Sequence, residues 1–137
     1  MREILFKAKR KDNGEWVEGY YLRDQYHISG KDIIFYRKDS DWFTVYTDII
    51  DPETLCQFTG LCDKNGKKIW ENDIVLVTEN VYSAVKFGLY HEASKSERTH
   101  QGFYLESMDN YYYREELGYW AKESVVVGNI FDNPELL

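Results

Sequence analysis

The feature that most constrains the fold is a pair of Asn-Gly turns, each lying between short runs of apolar and β-branched residues. Asn and Gly tolerate a positive φ, which tight turns between antiparallel strands require. The first turn, Lys11 to Gly14, follows an alternating run that begins at Ile4 and precedes a second run that ends at Leu22. The residues from Ile4 to Leu22 are therefore predicted to form a β-hairpin.

The second turn, at Asn65-Gly66, begins the segment in which turn residues and strand-forming residues follow each other most closely. It joins a short arm to an apolar strand at 74–77, with a further turn at 71–73. This order of turn, short arm, turn and strand resembles the entry into a small SH3-like barrel. The predicted fold is mainly β: a small antiparallel barrel-like (SH3-like) core with extra N-terminal hairpins and one or two short helical turns, in a single domain over 1–137.

Other segments complete this prediction. Residues 33–36 and 42–47 are aromatic and β-branched runs, which predict a further antiparallel pair. The polar residues 88–101 predict a long, mobile hairpin loop. Residues 109–117 predict a short helix that is closed by Gly118.

The composition is that of a folded protein without a membrane segment. Hydrophobic residues make up 43% of the chain, and no apolar stretch approaches the roughly 20 residues that a spanning helix needs. No signal peptide is recognisable at the N-terminus. Cys56 and Cys62 have no zinc-ligand spacing, so reduced thiols in a cytoplasmic protein are predicted.

The net charge of −7 arises entirely after residue 50. Residues 1–50 carry nine Lys/Arg and nine Asp/Glu, whereas residues 51–137 carry eight and fifteen. A surface of this sign repels nucleic-acid phosphates on average, which disfavours nucleic acid as a partner without excluding it. It suits either a basic protein partner or solubility alone.

Three blocks of the chain resemble the YopX family of phage and prophage proteins. The first is Ile4–Arg10 followed by Gly14–Gly19, the second is Pro52–Ile69, and the third is Gly128–Leu137. They cover both ends and the centre of the chain, in the usual order and at the usual spacing, which makes the resemblance specific.

The resemblance departs from the family pattern at two positions. The family usually has Tyr or Phe where this chain has Trp70, and Gly where it has Asn72, although Asn keeps a positive φ accessible. The resemblance implies a mainly β domain with a barrel-like core, from a phage or prophage gene expressed in bacterial cytoplasm. It implies no activity, substrate or catalytic residue.

Three carboxylates near the central hairpin are the candidates for acid–base chemistry: Asp63, Glu71 and Asp73. All three stand at turns, where acidic residues usually bond to nearby backbone N–H groups instead. The chain has no G-x-S-x-G elbow, no Walker A motif and no G-x-G-x-x-G motif. We therefore predict no enzymatic activity, no cofactor and no small-molecule substrate.

The histidines are the candidates for a metal site. His91 and His100 would approach each other across a hairpin loop, with Glu92 or Glu97 completing a ligand set, and His27 stands apart. The sequence has no H-E-x-x-H motif or other histidine spacing typical of zinc proteases. Histidines are also common in polar loops that bind no metal. No metal is predicted.

Basic residues near tryptophans form a candidate nucleic-acid patch. Small barrels bind single strands by stacking bases on aromatic rings within a basic groove. The same pattern arises where lysines lie on solvated hairpin faces and the tryptophans lie in the core. The residues of this patch are Lys9, Arg10, Trp16, Lys67, Lys68 and Trp70.

A run of aromatic residues near the C-terminus is the candidate protein interface. Three consecutive tyrosines cannot all face one core, so at least one is expected on the surface. Packing across a short helix is the alternative. The residues are Tyr111, Tyr112, Tyr113, Tyr119 and Trp120. The leading hypothesis is a non-enzymatic phage accessory protein that binds a phage or host protein or its own copies; a small-barrel binder of single-stranded nucleic acid is the alternative.

Overall fold

The computed structural model describes residues 3–23, 31–78, 80–91, 98–106 and 114–137. The chain divides into two compact units, residues 1–58 and 59–137. The predicted mainly β class is confirmed, because the described strands form two antiparallel sheets. Neither sheet closes into a barrel through the described strands, since the end strands of each sheet pair on one side only.

The strands are β1 (Phe6–Lys9), β2 (Trp16–Arg23), β3 (Asp32–Lys38), β4 (Asp41–Ile49), β5 (Cys56–Cys62), β6 (Lys68–Trp70), β7 (Asp73–Val77), β8 (Val81–His91), β9 (Thr99–Leu105) and β10 (Val125–Asn129). Their order is β4-β3-β2-β1-β5-β6 in one sheet and β10-β7-β8-β9 in the other. One α-helix, α1 (Leu117–Trp120), and 3-10 turns at Pro52–Thr54, Ala121–Glu123 and Pro134–Leu136 complete the described secondary structure. None of these helices is long and apolar enough to cross a membrane.

The predicted first hairpin is confirmed as β1 and β2. Gly14 closes the loop with φ 73°, a conformation that glycine adopts without steric cost. The backbone N–H of Arg10 donates to the carbonyl of Glu15 at 2.8 Å, and the side-chain oxygen of Asn13 accepts from the N–H of Glu15 at 2.9 Å. The turn chemistry therefore sets the register of this hairpin.

The first unit has its core on one face of the sheet. Ala8, Ile34 and Ile50 are almost fully buried there, and Tyr21 and Tyr36 pack against them. The predicted pairing of 33–36 with 42–47 is confirmed as β3 and β4, with a register shift beyond Tyr36. Side chains alternate along a strand, so every second residue of β2, β3 and β4 lies on the other face.

The second unit has a separate core around α1. Val75, Val85, Leu105 and Leu117 are fully buried in it. Asn72, at the turn before β7, has φ 69°, which is the conformation expected where the YopX pattern has glycine. The substitution is therefore compatible with the turn.

The prediction of a long loop over 88–101 was wrong for most of that segment. Strands β8 and β9 pair as far as His91 and Thr99, and only residues 92–97 lie outside the described ranges. Gly88 and Gly102 face each other in this ladder, and the rings of Tyr104 and Tyr90 lie 3.9 and 3.7 Å from where their Cβ atoms would stand. These rings fill the space that the glycines leave, so a polar segment still forms a ribbon.

The prediction of a helix over 109–117 was also wrong for the residues of that segment that the structure describes. Residues 109–113 lie outside the described ranges, and Glu116 is extended because it forms a β-bridge with Tyr104. The N–H of Leu105 also donates to the carbonyl of Glu115 at 2.8 Å. The helix begins only at Leu117, so Gly118 lies inside it instead of ending it.

Candidate functional site

The described part of the first unit has an apolar surface on the face of its sheet opposite to the core. Strand register places Tyr20 beside Phe35 and Leu22 beside Ile33, and Ile33 lies beside Ile49. The rings of Tyr20 and Phe35 pack at a centroid distance of 5.6 Å. We call this surface the outer face; its residues are Trp16, Tyr20, Leu22, Ile33, Phe35 and Ile49.

The outer face is open to solvent. Tyr20 is 52% exposed, Leu22 is 51% exposed and Ile49 is 40% exposed. Single exposed apolar side chains are common on protein surfaces, whereas adjoining ones on neighbouring strands mark interaction sites. The outer face is therefore the strongest candidate for an interaction site in the described part of the first unit.

The β3–β4 hairpin adds exposed residues at its far end. Trp42 is 66% exposed, Phe43 is 96% exposed and Val45 is 49% exposed. Arg37 holds Trp42 by donating to its carbonyl oxygen, with the guanidinium carbon 5.7 Å from the ring centroid. Aromatic residues and arginine are the residue types enriched in protein interfaces.

The basic residues of the predicted nucleic-acid patch that lie in the first unit are already engaged. The ammonium group of Lys9 lies 5.5 Å from the ring centroid of Trp16, and that of Lys7, which is not part of the predicted patch, lies 4.8 Å from it. Arg10 donates to both carboxylate oxygens of Asp12 at 3.1 and 2.8 Å. Its hydrogen bond to Asp12 is the main reason that the pKa of Arg10 is raised.

The rest of the predicted patch lies in the second unit, where Trp70 is not available for stacking. Trp70 is only 4% exposed, and its backbone N–H donates to Asp73 at 2.8 Å. The neighbouring Lys67 is exposed and Lys68 is half-buried. Trp70 was therefore wrongly predicted as a binding residue, because its short strand turns the ring into the core.

The predicted aromatic interface is only partly described. Tyr111, Tyr112 and Tyr113 lie outside the described residues. Tyr119 is 51% exposed, with the Arg114 guanidinium carbon 4.4 Å from its ring centroid.

Trp120 was wrongly predicted as a surface residue. It is only 6% exposed, and its indole N–H donates to the carbonyl of Arg114 at 2.9 Å. The helical turn at α1 places it in the core of the second unit.

The structure gives two of the three turn carboxylates, Asp63 and Asp73, a backbone role. Asp63 is buried and accepts backbone N–H bonds from Asn65, Lys67 and Val126 at 2.9, 2.9 and 3.0 Å. Burial by itself would raise the pKa of Asp63, but these donors outweigh it and the pKa is lowered. A carboxylate held in this way is a poor proton donor near neutral pH.

The two described histidines do not converge on a common site. His91 is paired with Thr99, whereas His100 is paired with Tyr90, so the two imidazoles lie on opposite faces of the β8–β9 ribbon. His27, Glu92 and Glu97 lie outside the described residues. Among the residues that are described, no group of three or more His, Cys, Asp or Glu is placed to hold a metal ion.

The outer face was missed at the level of sequence, although a signal for it existed. Tyr20, Tyr21 and Leu22 are all large, and so are the four residues of 33–36. An unbroken apolar run in a strand indicates that both faces of the sheet are apolar. Alternation of apolar and polar residues indicates that only one face is apolar.

Comparison with known proteins agrees with this fold. The chain is similar over its whole length to protein EF1440 from Enterococcus faecalis, known from a crystal structure, with 22% identity and a TM-score of 0.53. The alignment covers 100% of this chain and 99% of that one, and at this identity it supports the fold alone. No curated protein matches the sequence. The family model described as YopX protein matches residues 5–137, and the chain therefore belongs to the YopX family.

Proposed function

We propose that this protein is a non-enzymatic binding module whose partner is a protein, and that the outer face is its binding surface. The observation that carries the proposal is the exposure of Tyr20 and Leu22 on β2 and of Ile49 on β4, with Ile33 and Phe35 of β3 paired between them. Removing such a surface from water is favourable by roughly 25 cal/mol per Å². A protein that keeps it exposed gains this free energy only on binding.

The surroundings of the outer face support a protein partner. Lys7 and Lys9 border it beside Trp16, and Arg37 borders it at the β3–β4 end. An apolar centre with a charged rim is the usual anatomy of a protein–protein interface. The backbone role of Asp63 and the separation of the histidines favour binding over catalysis.

The setting that we propose is a phage or prophage gene product acting in the cytoplasm of a bacterial host. Family membership is the support for this setting. In this setting the partner is a phage or host protein, or another copy of the chain.

The experiment compares two matched substitutions, Leu22→Lys on the outer face and Leu89→Lys on β8, where the leucine is 71% exposed. Tagged full-length variants are used to capture proteins from a bacterial lysate, with circular dichroism as the check on folding. We expect Leu22→Lys to lose a protein that the wild type and Leu89→Lys both retain. Equal capture by all three would contradict the proposal.

A second candidate function is binding of single-stranded nucleic acid on the same open sheet. The observation that favours it is the position of Lys7 and Lys9 over Trp16, on the face that also carries Tyr20 and Phe35. A base would have to displace the lysine ammonium groups before it could stack on Trp16, which makes this candidate the weaker one. Quenching of tryptophan fluorescence by oligonucleotides at low salt, lost in Trp16→Phe, is the expected result if it holds.

We also infer an SH3-like arrangement for the second unit. The support is that β7, β8 and β9 form a meander, that β10 returns to pair with β7, and that a short helix precedes β10. The bridge between Tyr104 and Glu116 lies where a fourth strand of such a barrel would pair. An experimental structure that covers residues 107–113 would test this inference.

A further inference from the structure

We propose that the partner of the outer face is a second copy of this chain, and that two outer faces pack against each other about a two-fold axis. This proposal rests on the proposed function, because it uses the same surface. A two-fold contact is isologous, so a surface that binds its own copy must be complementary to itself. The outer face, together with the exposed end of the β3–β4 hairpin, meets this condition in shape, charge and area.

The shape of the outer face suits packing of sheet against sheet. Its central positions lie on β2, β3 and β4 in continuous register, from Tyr20–Phe35 to Leu22–Ile33 and on to Ile49. Two sheets that pack face to face lie about 10 Å apart, with their side chains interleaved. A layer of aromatic and branched side chains on each copy fills that distance.

The charge distribution selects this part of the chain for self-association. Residues 1–58 carry nine basic and eleven acidic residues, a net charge of −2, so two first units repel each other only weakly. Residues 59–137 carry eight basic and thirteen acidic residues, a net charge of −5, so two second units repel each other more strongly. Electrostatic repulsion between two copies of the chain is therefore weaker when they contact each other through their first units than through their second units.

The exposed area matches what a stable dimer needs. Six large residues are 40–96% exposed on the outer face and at the end of the β3–β4 hairpin: Tyr20, Leu22, Trp42, Phe43, Val45 and Ile49. With about 150–250 Å² for a large side chain, they present on the order of 700 Å². Two copies would then bury roughly 1,400 Å², within the range of standard specific interfaces.

The experiment measures the mass of the full chain by light scattering and sedimentation from about 1 to 100 µM, since interfaces of this size have micromolar or tighter affinity. The monomer mass is 16.4 kDa, and we expect the wild type to approach twice that value as concentration rises. Leu22→Lys is expected to weaken the dimer at least about tenfold, because it buries a charge in each half of the contact. Leu89→Lys, the matched control, is expected to dimerise like the wild type.

A mixing experiment separates a broken interface from a damaged fold. Leu22→Lys and Leu22→Glu are each expected to be monomeric, and their mixture is expected to regain the dimer because the buried charges then have opposite signs. A mixture that stays monomeric while both variants keep the wild-type circular dichroism spectrum would overturn the proposal.

The outcomes distinguish this proposal from the proposed function. A wild type that is monomeric at every concentration, but loses a captured protein on Leu22→Lys, overturns the dimer and leaves the binding function standing. A monomeric wild type whose capture does not depend on Leu22 overturns both. A dimer that is broken by Leu89→Lys and not by Leu22→Lys overturns the outer face as the contact.

Discussion

The carboxylate of Asp63 accepts the backbone N–H of Val126 at 3.0 Å, which joins the β5–β6 turn to β10 across 63 positions of the chain. Its other oxygen accepts from Asn65 and Lys67 within its own turn. One buried side chain thus terminates a hairpin and anchors the last strand of the second unit.

Replacing Asp63 with Asn is predicted to destabilise the protein by about 1–3 kcal/mol, because the amide cannot accept on both sides. Its NH₂ group would face either the N–H of Val126 or the two N–H groups of the turn. Chemical denaturation of both proteins measures the loss. The control is Asp39→Asn in the exposed β3–β4 turn, and equal loss in both variants would argue against the special role of Asp63.

The same contact predicts sensitivity to acid. The pKa of Asp63 is lowered on folding, so its contribution is complete above the ordinary aspartate value of about 3.9 and is lost as the pH falls through the folded-state pKa. Melting temperatures measured from neutral pH to about 2 should fall more steeply for the wild type than for Asp63→Asn. Parallel curves would show that Asp63 does not carry the effect.

A second prediction concerns Gly19 in β2. A Cβ atom there would lie 2.8 Å from Cγ2 of Ile34 and closer still to the carbonyl of Phe35, so Gly19→Ala forces the two strands apart. The expected cost is roughly 1–3 kcal/mol or more, as for other overpacked sites. Gly118→Ala is the matched control, because no atom lies within 4 Å of its added Cβ. In a helix that change should stabilise by up to about 1 kcal/mol.

A third prediction concerns Tyr90 and Glu116. Burial and then the negative charge of Glu116 raise the pKa of Tyr90. Glu116→Gln should therefore lower the pKa of Tyr90, which NMR of Cζ-labelled tyrosine can follow, with Tyr90→Phe identifying the signal. Glu135→Gln, at an exposed position, should leave the signal in place. An unchanged pKa in Glu116→Gln would mean that burial alone is responsible.

The cysteines supply a fourth prediction. Cys62 is exposed, whereas Cys56 is 1% exposed with its thiol 3.2 Å from the carbonyl of Thr54. A thiol reagent should modify Cys62 quickly and Cys56 only when the first unit opens. Cys62→Ser should abolish the fast phase and leave the slow one. Two fast thiols in the native protein would contradict the burial of Cys56.

Turn chemistry made the hairpins predictable, because Gly14 and Gly66 both adopt the positive φ that the sequence indicates. Which tryptophan is buried was not predictable in the same way. Trp16, on β2, and Trp70, on β6, both follow a group of basic residues in sequence, Lys9–Lys11 and Lys67–Lys68, yet only the second is buried. Which face of a strand meets the core depends on pairing with distant strands, and a local pattern does not contain that information.

The extent of the β8–β9 ribbon was missed for a related reason. Polar residues and a glycine in 88–101 are typical of a loop, and local propensity favours that interpretation. Pairing over seven residue pairs, from Val85–Leu105 to His91–Thr99, overrides it. The cross-strand packing of Tyr90 on Tyr104 and His100, with centroid distances of 5.8 and 5.7 Å, is a tertiary contact that composition does not reveal.

The glycine pair in this ribbon also has a mechanical consequence. At Gly88 and Gly102 the two strands have no side chains of their own on either face, so the ribbon is thinnest at that level. Its resistance to bending there comes from the two tyrosine rings laid across the gap, one from each strand. Bending of the ribbon is therefore expected to be easiest at this glycine pair, and the two rings oppose it.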